Sequence, residues 1–241
     1  MTRIALYIVK ITLAIFSSLL LFSCSNFGVK GKGDVISKVI ETNQEITEIK
    51  AAAGMNVIVN QGDIQEVKVV AHQNLHRYIK VQQSGNVLTI KKTKNFNASG
   101  VFDVFVTVKN IEKLSATSGS EITTPKTIKS KNLTVNTSSG SSISLNIIAE
   151  DVIAKSSSGS DMILEGKTLN FDGTSSSGSS IDAKSLICAK ALVKASSGSD
   201  ITTYPLESLQ AKASSGSAIT YYNAPLQITY NVSSGGSVNK N

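Results

Sequence analysis

The sequence predicts an all-β solenoid, a fold in which the chain winds through stacked coils of parallel strands. A short phrase, Ser-Gly followed by Ser or Gly, recurs seven times between residues 113 and 238. Its glycines, which lie 18 to 21 residues apart, are Gly119, Gly140, Gly159, Gly178, Gly198, Gly216 and Gly235. Because a near-fixed period of this length is typical of repeat architectures, we expect coils of about 19 residues.

The alternation of side chains around each glycine indicates that the coils consist of strands. In the second copy Val135, Ile143 and Leu145 stand at odd offsets from Gly140, while Asn136 stands at an even offset. A period of two is the period of a β-strand. Charged residues of the later copies share the even offsets, so the odd offsets are predicted to face the core: Lys155, Asp161, Asp172, Asp182, Lys194 and Asp200.

The same phase predicts that serines on both sides of each glycine point inward. The first column comprises Ser118, Ser139, Ser158, Ser177, Ser197, Ser215 and Ser234, and the second comprises Ser120, Ser141, Ser160, Ser179, Ser199 and Ser217. Stacked hydroxyls can bond to the next rung or to the backbone, which removes the cost of burying them. We therefore expect Ser177 to be buried and Ser180 to be exposed. A flexible Gly/Ser linker is the alternative, but apolar residues flank the glycines at fixed offsets.

The N-terminal residues predict a signal peptide over residues 1–23. Arg3 precedes a largely apolar run over residues 4–22, which contains Lys10. The run is followed by Ser23 and Cys24. Leu21-Phe22-Ser23-Cys24 resembles the lipobox of bacterial lipoproteins, which implies cleavage before Cys24 and a lipid on that residue. The alternatives are a retained transmembrane helix, which the charge of Lys10 disfavours, and a cysteine that follows a signal peptide by chance.

The remaining chain divides into a tether and one domain. Residues 24–34 are polar and rich in glycine, as is typical of a tether. Residues 35–241 are predicted to form a single solenoid domain, with irregular N-terminal coils over 35–112 and the Ser-Gly-Ser array over 113–238. Ala53-Gly54-Met55 resembles a degenerate first coil that closes one end, and the tail over 235–239 is predicted to cover the other.

Composition argues against a nucleic-acid partner. Without residues 1–23 the chain carries 22 basic and 17 acidic residues, which leaves a modest net charge of +5. The lysines are scattered among the copies, and the sequence has no Trp on which bases could stack.

The few residues that commonly carry chemistry give no strong signal. His72 and His76 lack the further ligands of a zinc site and are expected to be solvent-exposed in a turn. Cys188 lies in an apolar segment, which predicts a buried and inert thiol. The Gly-Ser-Asp phrases that end at Asp161 and Asp200 lack the paired glycines and the nine-residue period of calcium-binding solenoids. We expect no metal, no cofactor and no catalytic residue.

Asp161 and Asp200 nevertheless support one alternative function. Both occupy the same outward offset, two rungs apart, so their separation is predicted to be about 10 Å. This is close to the carboxylate spacing of inverting glycosidases, and parallel β-helices include polysaccharide-degrading enzymes. A carbohydrate-active enzyme that uses these two residues is therefore the alternative, although lone charges on a repeat face are usually solvated.

From about residue 35 to the C-terminus the chain resembles the family of putative auto-transporter adhesins with a head GIN domain. The resemblance rests on the segment over residues 46–62, on Asn74-Leu75 with Tyr78-Ile79, on residues 85–90 and on the Ser-Gly-Ser array. It implies a right-handed parallel β-helix-like solenoid with an irregular N-terminal β cap, in a family with many lipoproteins. It carries over no catalytic or binding residues.

These observations together predict a non-catalytic lipoprotein of the cell envelope. The lipid on Cys24 would hold it to the outer membrane, on the periplasmic or the surface face. Its long, regular faces would bind a glycan or a protein partner through many weak contacts. A structural component that stacks end to end is a further alternative, because fold class alone does not decide function.

Overall fold

The computed structural model describes residues 28–97 and 100–241, which form an all-β solenoid of about seven turns and confirm the predicted fold class. The N-terminal region contains β1 (Val35–Ile40), β2 (Glu48–Ala52), β3 (Asn56–Gln61), β4 (Glu66–His72), a short 3-10 helix (His76–Tyr78), β5 (Ile79–Ser84), β6 (Val87–Lys92) and β7 (Phe102–Val108). The array contains β8 (Lys113–Thr117), β9 (Glu121–Thr123), β10 (Ile128–Ser138), β11 (Ser142–Ser157), β12 (Asp161–Ser176), β13 (Ser180–Ser196), β14 (Asp200–Ala213), β15 (Ala218–Tyr221), β16 (Gln227–Val232) and β17 (Ser237–Lys240).

Each coil of the array contributes to two walls. Wall A consists of the segments that follow a Ser-Gly phrase, namely β9, the first halves of β11 to β14, β15 and β17. Wall B consists of the segments that precede the phrase, namely β8, the second halves of β10 to β14, and β16. Successive coils pair in parallel, so that Ile143 lies beside Met162 on wall A and Val152 lies beside Phe171 on wall B.

The inward side chains of both walls form one hydrophobic core. Near the corners they occupy the odd offsets from the glycines, as the alternation predicted. In the bend between the walls the phase changes, and Leu186 and Cys188, at even offsets from Gly198, are also buried. Large and small inward residues complement each other along a strand, as Phe171 and Gly173 of β12 show. A Cβ added to Gly173 would lie 2.9 Å from Phe171 Cζ, so the missing side chain makes room for the buried ring.

The Ser-Gly phrase forms a sharp corner in which two successive residues adopt a left-handed conformation. Ser139 has φ 56° and Gly140 has φ 67°, and the other copies repeat this pair of values closely. In the described residues, all eight non-glycine residues with positive φ occupy this one position, including Ala53. Because the backbone is not extended there, the alternation of faces breaks at the corner.

This break overturns one of the two predicted serine columns. The serines before the glycines are exposed: Ser118, Ser139, Ser158, Ser177, Ser197, Ser215 and Ser234. The prediction that Ser177 points inward was therefore wrong, because the argument from a period of two holds only for extended backbone. Ser180, which was predicted to face outward, is half-buried.

The serines after the glycines are buried as predicted: Ser120, Ser141, Ser160, Ser179, Ser199 and Ser217. Their hydroxyls bond to backbone groups, some of their own corner and some of the preceding coil, as Ser141 Oγ does in donating to Ala116 O (2.7 Å). Ser179 Oγ accepts a hydrogen bond from Ser176 N (3.1 Å) and donates one to Ser176 O (2.7 Å). The corners also bond to one another, since Gly140 N donates to Ser158 O in the next coil (3.1 Å). Each corner is thus held both within its own coil and to its neighbour.

The coils differ in length, and the extra residues lie in the part of the coil that leads from wall A to wall B. The pairing of β12 with β13 shifts by one residue after Ile163, which leaves Lys184 as an extra residue in its coil. Asp182 accepts hydrogen bonds from Lys184 Nζ (2.8 Å) and Thr202 Oγ1 (2.7 Å) beside this bulge. Burial opposes ionisation of Asp182, but the bonds from Lys184 and Thr202 outweigh it and hold the pKa of the carboxyl below its ordinary value.

The N-terminal region extends both walls with partly antiparallel strands. Wall B continues from β8 through β2 and β6 to β5, and wall A continues from β9 through β3, β7 and β4 to β1. The predicted degenerate coil is present, since Ala53 and Gly54 form a left-handed corner and Met55 is buried. Met55 N donates to Ser120 Oγ (3.2 Å), which joins this coil to the array.

The described part of the predicted tether, residues 28–34, lies against the N-terminal region. Val29 N donates to Asn95 O (2.8 Å), and Asn74 bonds through its side chain to Lys32 N and Lys30 O (both 2.8 Å). These contacts hold the segment to the domain over a separation of more than 40 residues in the chain. The ordered fold therefore begins before residue 35.

The C-terminal tail does not cover its end of the solenoid, in contrast to the sequence prediction. Ser234 and Gly235 form a further left-handed corner, and β17 then extends wall A by one strand. Tyr230, whose position on β16 is in register with buried Ala211, is 61% exposed. The tail thus adds a coil and leaves the core of that coil open.

Candidate functional site

The outer face of wall B carries three columns of side chains in strict register. The columns lie eight, six and four residues before the corner glycines of the array. The first contains Asn132, Asp151, Asn170, Lys190 and Ser208; the second contains Thr134, Ile153, Asp172, Leu192 and Gln210; the third contains Asn136, Lys155, Thr174, Lys194 and Lys212. Because these distances do not vary, corresponding side chains stack about 4.8 Å apart along the solenoid axis.

The first two columns line a groove that crosses five coils from Asn132 to Gln210. Its volume is about 560 Å³, within the usual range for ligand sites. Ile153 and Leu192 contribute exposed apolar surface, with 40% and 36% of each residue accessible. Amide and carboxylate groups surround them, and Asn170 Nδ2 donates to Asp151 Oδ1 across one rung (2.7 Å). The wall B groove therefore offers both apolar contacts and hydrogen-bonding groups.

A second groove of about 1060 Å³ continues the first toward the N-terminal region. The two share Asn132 and Thr134. Its lining includes six charged side chains: Glu48, Glu112, Lys113, Lys129, Lys131 and Glu150. One pair forms a weak ion contact, since Lys113 Nζ lies 3.8 Å from Glu48 Oε2. The outer face of wall B thus changes from a strongly charged end to a mixed polar and apolar centre.

The two walls of the array differ in charge. The lysines of the third column, Lys155, Lys194 and Lys212, are exposed and run beside the wall B groove. On wall A the column that follows the corners includes Glu121, Asp161 and Asp200, which are also exposed. In the three columns of wall B four lysines outnumber the two acidic residues, Asp151 and Asp172, whereas the charged residues of the wall A column are all acidic. The outer face of wall B therefore favours acidic ligands more than that of wall A does.

Asp161 and Asp200 lie in one column of wall A, as the sequence predicted. Ser180 pairs with both, so the two carboxylates are two rungs apart. Both residues are exposed, and neither lines either of the two grooves.

His72 and His76 are half-buried and bond to backbone carbonyls, contrary to the expectation of solvent-exposed histidines. His72 Nδ1 lies 2.9 Å from Gly33 O. His76 Nε2 lies 3.1 Å from both Ile36 O and Ala71 O. These bonds fasten β1 and the segment before it to β4. Within the described residues no group of three or more His, Cys, Asp or Glu side chains is placed to hold a metal ion.

Cys188 is fully buried, as its apolar neighbours predicted. Its Sγ donates to Tyr204 O (3.5 Å). Burial raises the pKa of the Cys188 thiol to about 11, so very little thiolate forms at neutral pH. The thiolate is the reactive form, and Cys188 is therefore a structural residue.

Cys24 and the predicted signal peptide lie outside the described residues. No helix in the described part of the chain is long and apolar enough to cross a membrane.

The wall B groove was not found by sequence reasoning, although a signal was present. Its columns keep the same distance before every corner glycine, but residue types vary within each column, from Asn170 to Lys190 and from Ile153 to Asp172. A search for repeated residue types misses such a surface. A search for fixed distances to the glycines would have located it.

The stacked coils, the left-handed corners and the two parallel walls define a protein of the β-solenoid class. A family model described as putative auto-transporter adhesin, head GIN domain, matches residues 45–225. The chain belongs to this family. No curated protein matches the chain.

Several solved structures share the fold at low sequence identity. A putative adhesin from Bacteroides fragilis has a TM-score of 0.80 at 18% identity, and the match covers 89% of this chain and 100% of that one. A putative adhesin from Parabacteroides merdae has a TM-score of 0.72 at 17% identity, with 89% and 99% covered. A putative lipid binding protein from Parabacteroides distasonis has a TM-score of 0.70 at 18% identity, with 88% and 99% covered. At these identities the likeness shows the fold alone.

Proposed function

We propose that the protein is a non-catalytic, lipid-anchored adhesin module of the cell envelope that binds an extended acidic ligand along the wall B groove. The observation that carries the proposal is a groove that keeps strict register over five coils. An extended polymer, either a glycan or a protein segment, can repeat the same contacts from rung to rung. Membership of an adhesin-like family supports this role.

The chemistry of the groove supports a preference for acidic ligands. Lys155, Lys194 and Lys212 border it, while Ile153 and Leu192 supply apolar contact at its centre. Electrostatic attraction from a row of exposed lysines acts mainly on the association rate and weakens as salt is added. We therefore expect binding to be weaker at high ionic strength but not abolished.

The test is a binding screen on arrays of acidic and neutral glycans and of matrix proteins. The groove variant is Ile153→Asp combined with Leu192→Asp, and its matched control is Ile163→Asp on wall A, where the side chain is similarly exposed (45%). We expect the groove variant to bind on the order of tenfold more weakly or worse, because its carboxylates repel the ligand and remove apolar contact. The control should bind as the unmodified protein does.

Two results would overturn the binding proposal. One is a ligand whose affinity is the same in the groove variant and in the control. The other is turnover of any glycan in a parallel hydrolysis assay, lost in both Asp161→Asn and Asp200→Asn, which would establish the enzymatic alternative instead. We expect no turnover, because both aspartates are exposed and lie outside the grooves.

The lipid anchor rests on Leu21-Phe22-Ser23-Cys24 at the end of the apolar run. Cys24→Ser removes the only thiol at the predicted cleavage site. We expect this variant to lose metabolic labelling with a fatty acid and to move from the membrane to the soluble fraction. Unchanged labelling and membrane association would contradict both the anchor and the outer-membrane location.

A further inference from the structure

The C-terminal coil leaves two strand edges and part of the core uncovered. In the described part of the chain, β16 pairs only with β14 and β17 pairs only with β15. Ile228, Tyr230 and Val232 are in register with buried Leu209, Ala211 and Ala213, so they occupy core positions of the last coil. They are nevertheless 39%, 61% and 42% exposed. This end of the solenoid presents apolar side chains and unpaired backbone groups together.

The edge strand β16 also lacks the features that normally prevent strand edges from pairing. The sequence of β16, Gln-Ile-Thr-Tyr-Asn-Val, has no charge, no proline and no glycine. At the opposite end of the molecule, the edge strand β1 carries Lys38 in register with buried Val69, and the edge strand β5 carries Lys80. Lysines on edge strands are a common device against association. At the C-terminal end the corresponding charge is confined to Lys240, the last residue of β17.

We propose that two copies of this chain join through their C-terminal coils. A two-fold axis perpendicular to the walls places β16 antiparallel to β16 of the partner subunit and β17 antiparallel to β17 of the partner subunit. This rotation keeps wall A in line with wall A and wall B in line with wall B. The exposed core side chains of one copy then continue the core of the other.

A second copy fits this end better than a single strand from another protein. Both walls end here, so the occupant must supply two strands at the same separation as β16 and β17, with apolar side chains between them. The same end of another copy has that shape. Because the lysine-bearing N-terminal end does not offer such a surface, the assembly closes at two subunits and does not extend into a fibre.

The antiparallel register follows from the positions of the apolar residues. Pairing centred on Tyr230 sets Ile228 opposite Val232 of the partner subunit and keeps both on the core side. Aromatic and β-branched residues opposite each other stabilise antiparallel pairs. Lys240, the only charged residue on β16 and β17, lies at the end of β17, where pairing centred on Val238 sets it opposite Gly236 of the partner subunit.

The test measures the mass of the full chain in detergent by sedimentation equilibrium. We expect a dimer whose dissociation constant rises on the order of 30-fold or more when Ile228→Lys and Val232→Lys are combined, since both sites lie at the centre of the interface. Ile163→Lys, at an exposed site on wall A, is the matched control and should leave the dimer intact. Circular dichroism and the Tm check that each variant is folded.

A cross-link tests the register independently. Tyr230→Cys should form an intermolecular disulfide under mild oxidation, because the residue faces its own counterpart at the two-fold axis. Gln227→Cys is exposed on the same strand but lies far from its counterpart, so it should not cross-link. A protein that is monomeric at all concentrations, or a dimer that survives the double lysine variant, would overturn the proposal. A monomer that binds a strand from another protein at this end would also overturn it.

Discussion

The N-terminal region and the repeat array pair the open edges of their coils in different ways. In the array the backbone bonds between corners recur from coil to coil, as the bond from Gly140 N to Ser158 O does. In the N-terminal region the contacts are unique and join distant residues. Gln65, for example, accepts a hydrogen bond from Ile46 N (2.8 Å) and donates to Thr42 Oγ1 and Gln44 O.

This difference shows what a repeat can and cannot provide. Identical coils extend a solenoid, but they leave an open edge wherever they stop. The N-terminal region ends the solenoid with antiparallel strands and with the segment over residues 41–47, which Gln65 and Gln83 hold through backbone contacts. The C-terminal coil has no comparable segment in the described residues.

The largest effect is expected at Gly166, in the turn between wall A and wall B. Its φ of +114° is strained for any other residue, and an added Cβ would overlap the Ile147 carbonyl oxygen. Gly166→Ala should therefore lower the free energy of unfolding by about 3 kcal/mol or more, from backbone strain and overpacking together. Gly140→Ala is the control, because a Cβ there meets open space and costs about 1–2 kcal/mol for its positive φ alone. Denaturant midpoints measure both, and equal effects would show that the contact with Ile147 is unimportant.

The next effect separates the two serines beside one glycine. Ser179→Leu puts a large side chain into the core and leaves Ser176 N without its acceptor, so it should cost about 1–3 kcal/mol from each cause. Ser177→Leu changes an exposed side chain and should cost within about 0.5 kcal/mol. Denaturant midpoints in the same background compare the two variants. If Ser177→Leu were the more damaging, the corner would not have the geometry described above.

The smallest effect should be confined to the N-terminal region. Gln65→Ala removes the acceptor of Ile46 N, whose residue is fully buried, and should cost about 1–3 kcal/mol of local stability. Because contacts in a solenoid are mainly between neighbouring coils, hydrogen exchange should accelerate over residues 41–52 and stay unchanged in β12 to β14. Gln82→Ala, at an exposed site on β5, is the control. Faster exchange throughout the array would show that the two regions unfold as one unit.

Much of the fold could be predicted because the array repeats one local pattern. Alternation around the glycines correctly placed Ile143, Phe171 and Ile181 in the core. In the N-terminal region the strands β3, β4, β6 and β7 also contain short runs of β-branched residues, over 55–59, 67–70, 87–90 and 101–106. β1 and β5 were not predicted, since their places depend on antiparallel partners elsewhere in the chain.

The errors share a physical cause: the burial of these side chains depends on backbone conformation and on distant residues, which the local alternation of residue types does not show. Ser177 and Ser179 have the same parity relative to Gly178, and only the left-handed backbone at the corner separates their environments. His76 looked exposed because its acceptor Ile36 O is 40 residues away. The groove depends on which side chains of successive coils lie in register on wall B. That register depends on the positions of the bulges that precede wall B in each coil.

Because the wall B columns stand a constant number of residues before each corner glycine, one coil can be added or removed as a unit. Residues 159–177 form one such unit, and their removal would join Ser158 directly to Gly178 and restore the same Ser-Gly sequence. The wall B surface would then be shorter by one rung of about 4.8 Å, with every remaining side chain still in line. Gene duplication or deletion of whole units can therefore change the length of the wall B surface without altering its pattern of side chains.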